Sequence, residues 1–397
     1  MRVAITGMGI ISAIGNSVAE NYHALTHGEK AITKIDNIDT IHKDVMKVGE
    51  IKKTNQQLSA ELGLATDNNF SRTALIGAIA AKQAVADAGI TSINEYRTGL
   101  ISASSVGGMD LTEQYYYDYF NHPELVKYIS SHDGGDVAQK IADELGLEGF
   151  VTTISTACSS AANSIMLGAR LINSGKLDRV IVGGTDALAK FTINGFKTLM
   201  ILSDDYNTPF DNDRKGLNLG EAAAFLVLES DAVVKKNNKE VLAYVSGYGN
   251  ANDAFHQTAS SENGDGAFLA MEKAFKVSGL KPVDIDYINV HGTATPNNDL
   301  SEGRAIIRIF GENNVPDFSS TKPFTGHTLA AAAAIEAVYS VLAIRNNVVF
   351  PNLNFKTPMG EFDLLPQTVL KHKKINHVLS NSFGFGGNCS TVLFSRN

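Results

Sequence analysis

Along the chain, short β-branched runs alternate with alanine-rich stretches of helical spacing. This alternation predicts an α/β fold whose sheets are covered on both faces. The strand-like runs fall at 3–6, 98–102, 151–155, 179–183, 223–229, 242–249, 287–290, 317–320, 377–382 and 391–395. The helical ones fall at 68–88, 135–145, 159–173, 266–278, 299–310 and 329–345. Val3-Ala4-Ile5-Thr6-Gly7-Met8-Gly9 is echoed by Tyr244-Val245-Ser246-Gly247-Tyr248-Gly249. Each run opens a half in which a strand is expected to feed a functional turn and then a helix, and so short an echo suggests duplication. The polar run 230–240 reads as the surface connection between them, which predicts halves at 1–240 and 241–397.

The 397 residues, 44% of them hydrophobic, are ample for a large core. With a net charge of −8 and no basic run, nucleic acid is excluded as the main partner. The N-terminus enters a strand-like run at once, without the ordered regions of a leader. No apolar stretch approaches the ~20 residues that span a bilayer. Together with just two cysteines, Cys158 and Cys389, this predicts a soluble cytoplasmic protein with reduced thiols.

Four segments carry candidate chemistry. In Ser155-Thr156-Ala157-Cys158-Ser159-Ser160, the thiol stands between a strand and a helix. Free N–H groups there would lower its pKa toward neutrality and make it a nucleophile. A buried structural thiol fits the same local context. In Asn289-Val290-His291-Gly292-Thr293-Ala294-Thr295-Pro296, the histidine follows a buried-looking strand and is placed to point into a cleft, though a lone histidine can be structural. Lys322-Pro323-Phe324-Thr325-Gly326-His327 again joins a strand to an alanine-rich helix. Gly384-Phe385-Gly386-Gly387 lets backbone approach a ligand closely and present N–H groups, or serves as a tight turn. Gly7-Met8-Gly9 resembles a dinucleotide fingerprint but has Ser12 where the third glycine belongs, and no acidic partner stands about 20 residues on.

In this order and context, one cysteine, two histidines, one lysine and a GFGG loop resemble the β-ketoacyl-acyl-carrier-protein synthases, the elongating type II branch of the thiolase superfamily. The resemblance also covers VAITGMGIISAIGNS, DRVIVGGTDA, the PFDNDRKGLNLGEAAAFLVLE block and SSTKPFTGHTLAAAAAIEA. It implies a duplicated, five-layer αβαβα fold and a homodimer, or a heterodimer with a related subunit. Cys158 would accept the acyl chain, with its own N–H and that of Phe385 forming the oxyanion hole. His291 and His327 would hold a malonyl thioester and promote loss of CO2. Lys322 and Glu336 would order the histidines, and Phe385 would act as a gate. Thr293, Thr295 and Gly386 would meet the phosphopantetheine arm of an acyl carrier protein, and Val106 would lie at the acyl-pocket floor. The resemblance implies no metal and no free cofactor.

The chain departs from the family pattern at 109–150, which is rich in tyrosine and acidic residues where a Pro-rich segment is usual. It departs again at Asn388-Cys389 and in the alanines of LAAAAAIE. Two rivals share the fold. A thiolase would use Cys158, with Cys389 as a second cysteine, but lacks the TKPFTGH lysine. A chain-length-factor subunit lacks the active cysteine, whereas Cys158, His291, His327 and Lys322 are all present.

Overall fold

In a computed structural model, which describes residues 2–397, ten strands form one mixed sheet. They are β1 (Val3–Ser12), β2 (Thr98–Ala103), β3 (Phe150–Ile154), β4 (Arg179–Asp186), β5 (Ala222–Glu229), β6 (Ala243–Asn252), β7 (Tyr287–Asn289), β8 (Asp317–Ser319), β9 (His377–Gly384) and β10 (Asn388–Ser395). Their order is β8-β7-β9-β10-β6-β1-β5-β4-β2-β3.

Read outward from the centre, the order is the same on both sides. In each half the first strand runs antiparallel to the fifth, the fifth antiparallel to the fourth, and the fourth, second and third are mutually parallel. The halves join where Val3 opposes Val245 and Ile5 opposes Ala243. The echoed segments are therefore equivalent strands, β1 and β6, paired with each other.

The principal helices are α1 (Arg72–Asp87), α2 (Gly134–Leu145), α3 (Ser160–Asn173), α4 (Lys190–Thr198), α5 (Asp265–Ser278), α6 (Pro296–Phe310) and α7 (Ala332–Asn346). Helices α1 and α2 cover the outer face of the first half, and α5 and α6 that of the second. Between the half-sheets lie α3 and α7, each touching strands of both halves, which gives the expected five layers. α7 is buried on every side from Ala332 to Ile344, so its apolar residues show no single stripe. By length and composition Leu329–Asn346 could cross a membrane, contrary to the expectation from sequence, yet 89% of it is buried as this central layer.

The paired glycines lie within strands, Gly7 and Gly9 beyond the expected 3–6 run and Gly247 and Gly249 inside the expected 242–249 run. A Cβ on Gly7 or Gly9 would stand 2.4 Å from Ala84 O or 2.1 Å from Ala80 O of α1. On Gly247 or Gly249 it would stand 2.5 Å from Ala274 O or 2.0 Å from Ala270 O of α5. In both halves a Gly-x-Gly strand lets the outer helix seat directly on the backbone. In the central layer, a Cβ on Gly184 would meet Ala330 O at 3.0 Å and the Cβ of Ala161 at 3.1 Å. The alanines after His327 thus suit a layer compressed from two sides.

α4 and the helix Met109–Tyr115 were not expected, because neither has a long periodic pattern. α4 has Ala189 at its N-cap and borrows a cap instead: the Lys190 and Phe191 N–H groups donate to the Glu113 carboxylate at 3.0 Å each. Glu113 belongs to the tyrosine-rich segment, which packs Tyr115 on Tyr128 with ring centroids 4.4 Å apart. α1 starts later than the spacing predicts, because Ser71 caps it by accepting from the Ala74 N–H.

Candidate active site

β3 delivers the chain to a turn in which Ala157 adopts φ 52°, a left-handed conformation that costs a non-glycine residue energy. The turn is pinned by the Thr156 N–H donating to Ser160 Oγ (2.8 Å), and the Ser159 Oγ lies 2.8 Å from Thr156 O. Cys158 stands two residues before α3 and is 6% exposed. Burial pushes its thiol up to about 12. The Lys322 charge and the N–H groups of Phe385 and of Cys158 itself act against that rise, and Asp186 adds to it. The direction is opposite to the expected fall toward neutrality, because burial makes the thiolate costly to desolvate.

β7 delivers His291, and the turn after β8 delivers His327. Their rings stand perpendicular with centroids 5.4 Å apart. His327 Nδ1 accepts the Leu329 N–H at 3.1 Å, which places its own proton on Nε2. The backbone at His291 is held by Glu302 on α6, which accepts the His291 N–H at 2.9 Å and the Gly292 N–H at 2.8 Å. His291 Nδ1 is buried with no hydrogen-bond partner among the described residues. Burial first and the Lys322 charge next hold both histidines well below 6.5, with each other's proximity adding for His291. Both are neutral at physiological pH.

Behind them Lys322 Nζ meets Glu336 Oε1 at 2.5 Å, the side chains 2% and 1% exposed. Burial pushes the Glu336 carboxyl up, against the pull of Lys322. Among the described residues, no three or more His, Cys, Asp or Glu side chains are grouped to hold a metal ion.

Two cavities meet at Cys158. One, of about 310 Å³, is lined by His291, His327, Thr293, Thr295, Phe383 and, from the GFGG loop, Gly384, Phe385 and Gly387. The other, of about 330 Å³, is lined by Val106, Met109, Phe191, Leu199 and Leu329. Phe196 and Phe385 border both and stack with centroids 5.8 Å apart, making the partition. In the first cavity the Thr293 and Thr295 hydroxyls are hydrogen-bonded at 2.9 Å.

The structure therefore brings Cys158, His291, His327, Phe385, Thr293, Thr295 and Val106 to one site. Gly386 is not among the residues lining either cavity. Its N–H donates to Gln257 O at 2.7 Å, and its φ of 82° serves the turn. Lys322 and Glu336 also line neither cavity, and the Lys322 charge reaches both histidines. Three contributors escaped the sequence reading. Glu302 shares a buried helix face with Asp299 and Ile306, a spacing that could have singled it out. Asp186 accepts from Ser104, Ser105 and the Val106 and Ala330 N–H groups, tying the apolar cavity's wall to the turn after His327. Asn388 touches Ser159 across the halves.

Chemically, a thiol facing two backbone N–H donors, opposite two neutral imidazoles, can hold thioester carbonyls and stabilise oxyanions at two places. Residues 1–233 match the model of the beta-ketoacyl synthase N-terminal domain, and residues 242–356 that of the C-terminal domain. The chain is 34% identical to the 3-oxoacyl-[acyl-carrier-protein] synthase 2 of Staphylococcus aureus (strain MRSA252) over 410 residues, covering 100% of this chain and 98% of that one. It superimposes on the ishigamide ketosynthase/chain length factor with a TM-score of 0.93 at 29% identity, covering 100% and 99% of the two chains. A type II PKS ketosynthase, solved in complex with its acyl-carrier protein and bound to the hexaketide, gives 0.89 at 26% identity over 100% and 99%.

Proposed function

Because this chain belongs to the beta-ketoacyl synthase family and is a condensing acyltransferase, we propose that Cys158 carries the growing acyl chain while His291 and His327 drive decarboxylative extension. The observation that carries this reading is the meeting of an apolar and a histidine-lined cavity at one thiol. The acyl chain lies in the Val106–Met109–Phe191 cavity. The phosphopantetheine arm of an acyl carrier protein enters past Thr293 and Thr295, and no other cofactor is needed.

In the first step the Cys158 sulfur attacks the acyl thioester. The new S–C bond replaces the carrier's, the carrier leaves as its thiol with the proton of Cys158, and the N–H groups of Cys158 and Phe385 hold the transient oxyanion. In the second step the C–C bond to the malonyl carboxylate breaks, CO2 departs, and the electron pair becomes an enolate. The His327 Nε2–H donates to its oxygen and His291 supports it from the other side. The enolate carbon attacks the acyl–Cys158 carbonyl, and the released thiolate takes up a proton. A single donor at such an oxygen is worth ~3 kcal/mol. The Lys322–Glu336 pair keeps both histidines neutral and oriented, and Phe385, stacked on Phe196, separates the two half-reactions.

We read the chain as two halves meeting near residue 240 and as a cytoplasmic enzyme. We also read it as a homodimer, or a dimer with a related ketosynthase-fold subunit. Edge strand β3 with exposed Phe150, together with the exposed aromatics Tyr117 and Phe120, supports the dimer. A cysteine-directed condensing-enzyme inhibitor should form its adduct at Cys158 by mass spectrometry. His327→Ala should keep acyl loading and lose condensation. An adduct elsewhere, or loss of loading with condensation intact, overturns the assignment.

A further inference from the structure

The two N–H donors of the oxyanion hole come from different halves of the duplicated sheet, so its geometry depends on how those halves are registered. Cys158 sits in the turn after β3, and Phe385 in the loop between β9 and β10. Directly beside them lies a cluster of side-chain amides and hydroxyls. Asn388 Oδ1 accepts from the Ser159 hydroxyl at 2.7 Å, from Asn163 Nδ2 at 3.0 Å and from Asn250 Nδ2 at 2.8 Å. Asn163 also donates to Thr156 Oγ1 at 2.9 Å, and Asn250 to Asn163 Oδ1 at 3.1 Å. One oxygen thus gathers the residue after the nucleophile, the first turns of α3, and strand β6. The loop is seated so closely that a Cβ on Gly384 would lie 2.6 Å from Thr156 O and 3.2 Å from Cys158 N.

Resting on the assignment of the oxyanion hole above, we propose that Asn388 is a positioning residue that sets the separation of the Cys158 and Phe385 N–H groups. Asn388 touches neither substrate nor thiol. Its effect therefore falls on the steps that build charge on the acyl carbonyl and spares those that do not. Alkylation of Cys158 by iodoacetamide uses the sulfur without an oxyanion, and malonyl decarboxylation places its charge at the histidines.

The test compares wild type and Asn388→Ala in three assays: transfer of an acyl group from a thioester to Cys158, alkylation by iodoacetamide, and CO2 release from malonyl-carrier protein. Full loss of one oxyanion donor costs about 10²–10³ in rate, so a misplaced one should slow acyl transfer about 10- to 100-fold. CO2 release should stay within about threefold of wild type, and alkylation, which meets the two N–H groups only through thiolate ionisation, should fall less than acyl transfer. Ser159→Ala, which removes the closest donor, should give the same selective pattern. The double variant should be no slower in acyl transfer than the slower single one, because both act through one contact. Asn388→Asp keeps the acceptor oxygen and should recover part of the rate. If Asn388→Ala does not fold, Ser159→Ala with its own alkylation control decides. Equal loss in all three assays, or unchanged acyl transfer, overturns the proposal. Failure of wild type to load Cys158 at all would instead overturn the assignment of the nucleophile.

Discussion

The dryness of Cys158 can be measured directly by alkylation. An exposed thiol titrates near 9.0, and burial carries this one to about 12. That difference corresponds to about 4 kcal/mol against ionisation. At pH 7 the thiolate fraction then falls from about 10⁻² to about 10⁻⁵. The observed rate of iodoacetamide alkylation should climb about tenfold per pH unit from about pH 6 to about pH 9, with no plateau. The assay is loss of the free Cys158 peptide by mass spectrometry, which also separates it from Cys389, likewise pushed up to about 12 by burial. Lys322→Met removes the first-named opposing influence and should slow alkylation further at every pH. A plateau beginning below pH 8 would refute the reasoning, since it would mean that the helix start and the N–H groups outweigh desolvation. The sign for stability follows: with the folded thiol raised, the unfolded chain ionises first, so this contribution is intact below about pH 9 and is lost as pH rises toward 12.

Removing one member of the buried Lys322–Glu336 pair should destabilise the fold by about 3–5 kcal/mol, read from the urea midpoint. The Lys322→Met/Glu336→Leu double variant should lose less, because no charge is left buried alone. Glu113→Ala strips α4 of its borrowed cap and should cost about 1 kcal/mol by thermal unfolding. Because α4 lines the apolar cavity, the same variant should broaden acyl-chain preference in a competition between acyl thioesters of graded length.

Much of the architecture was legible because strong local signals agreed with one another. Alternating β-branched and alanine-rich runs marked all ten strands of the main sheet and the six longest helices, but not the shorter Val18–His27, Asn55–Leu62 and Lys190–Thr198. The Gly-x-Gly echo marked the duplication, although its purpose, seating a helix on a strand, became visible only with α1 and α5 in place. The chemistry-bearing residues could be named because each lies in a strand-to-helix or strand-to-strand turn whose local sequence is distinctive.

Tertiary structure decided the rest, for reasons that local sequence does not contain. Whether the Cys158 thiol is raised or lowered depends on how much protein surrounds it, and its place beside α3 between the half-sheets leaves it 6% exposed. The capping of α4 by Glu113 joins residues 77 and 78 positions apart. The Asn388–Ser159 contact spans 229 positions. Sequence determined which groups are present and the turns that carry them. Folding determined which of them meet, how dry they are, and therefore which charges each can bear.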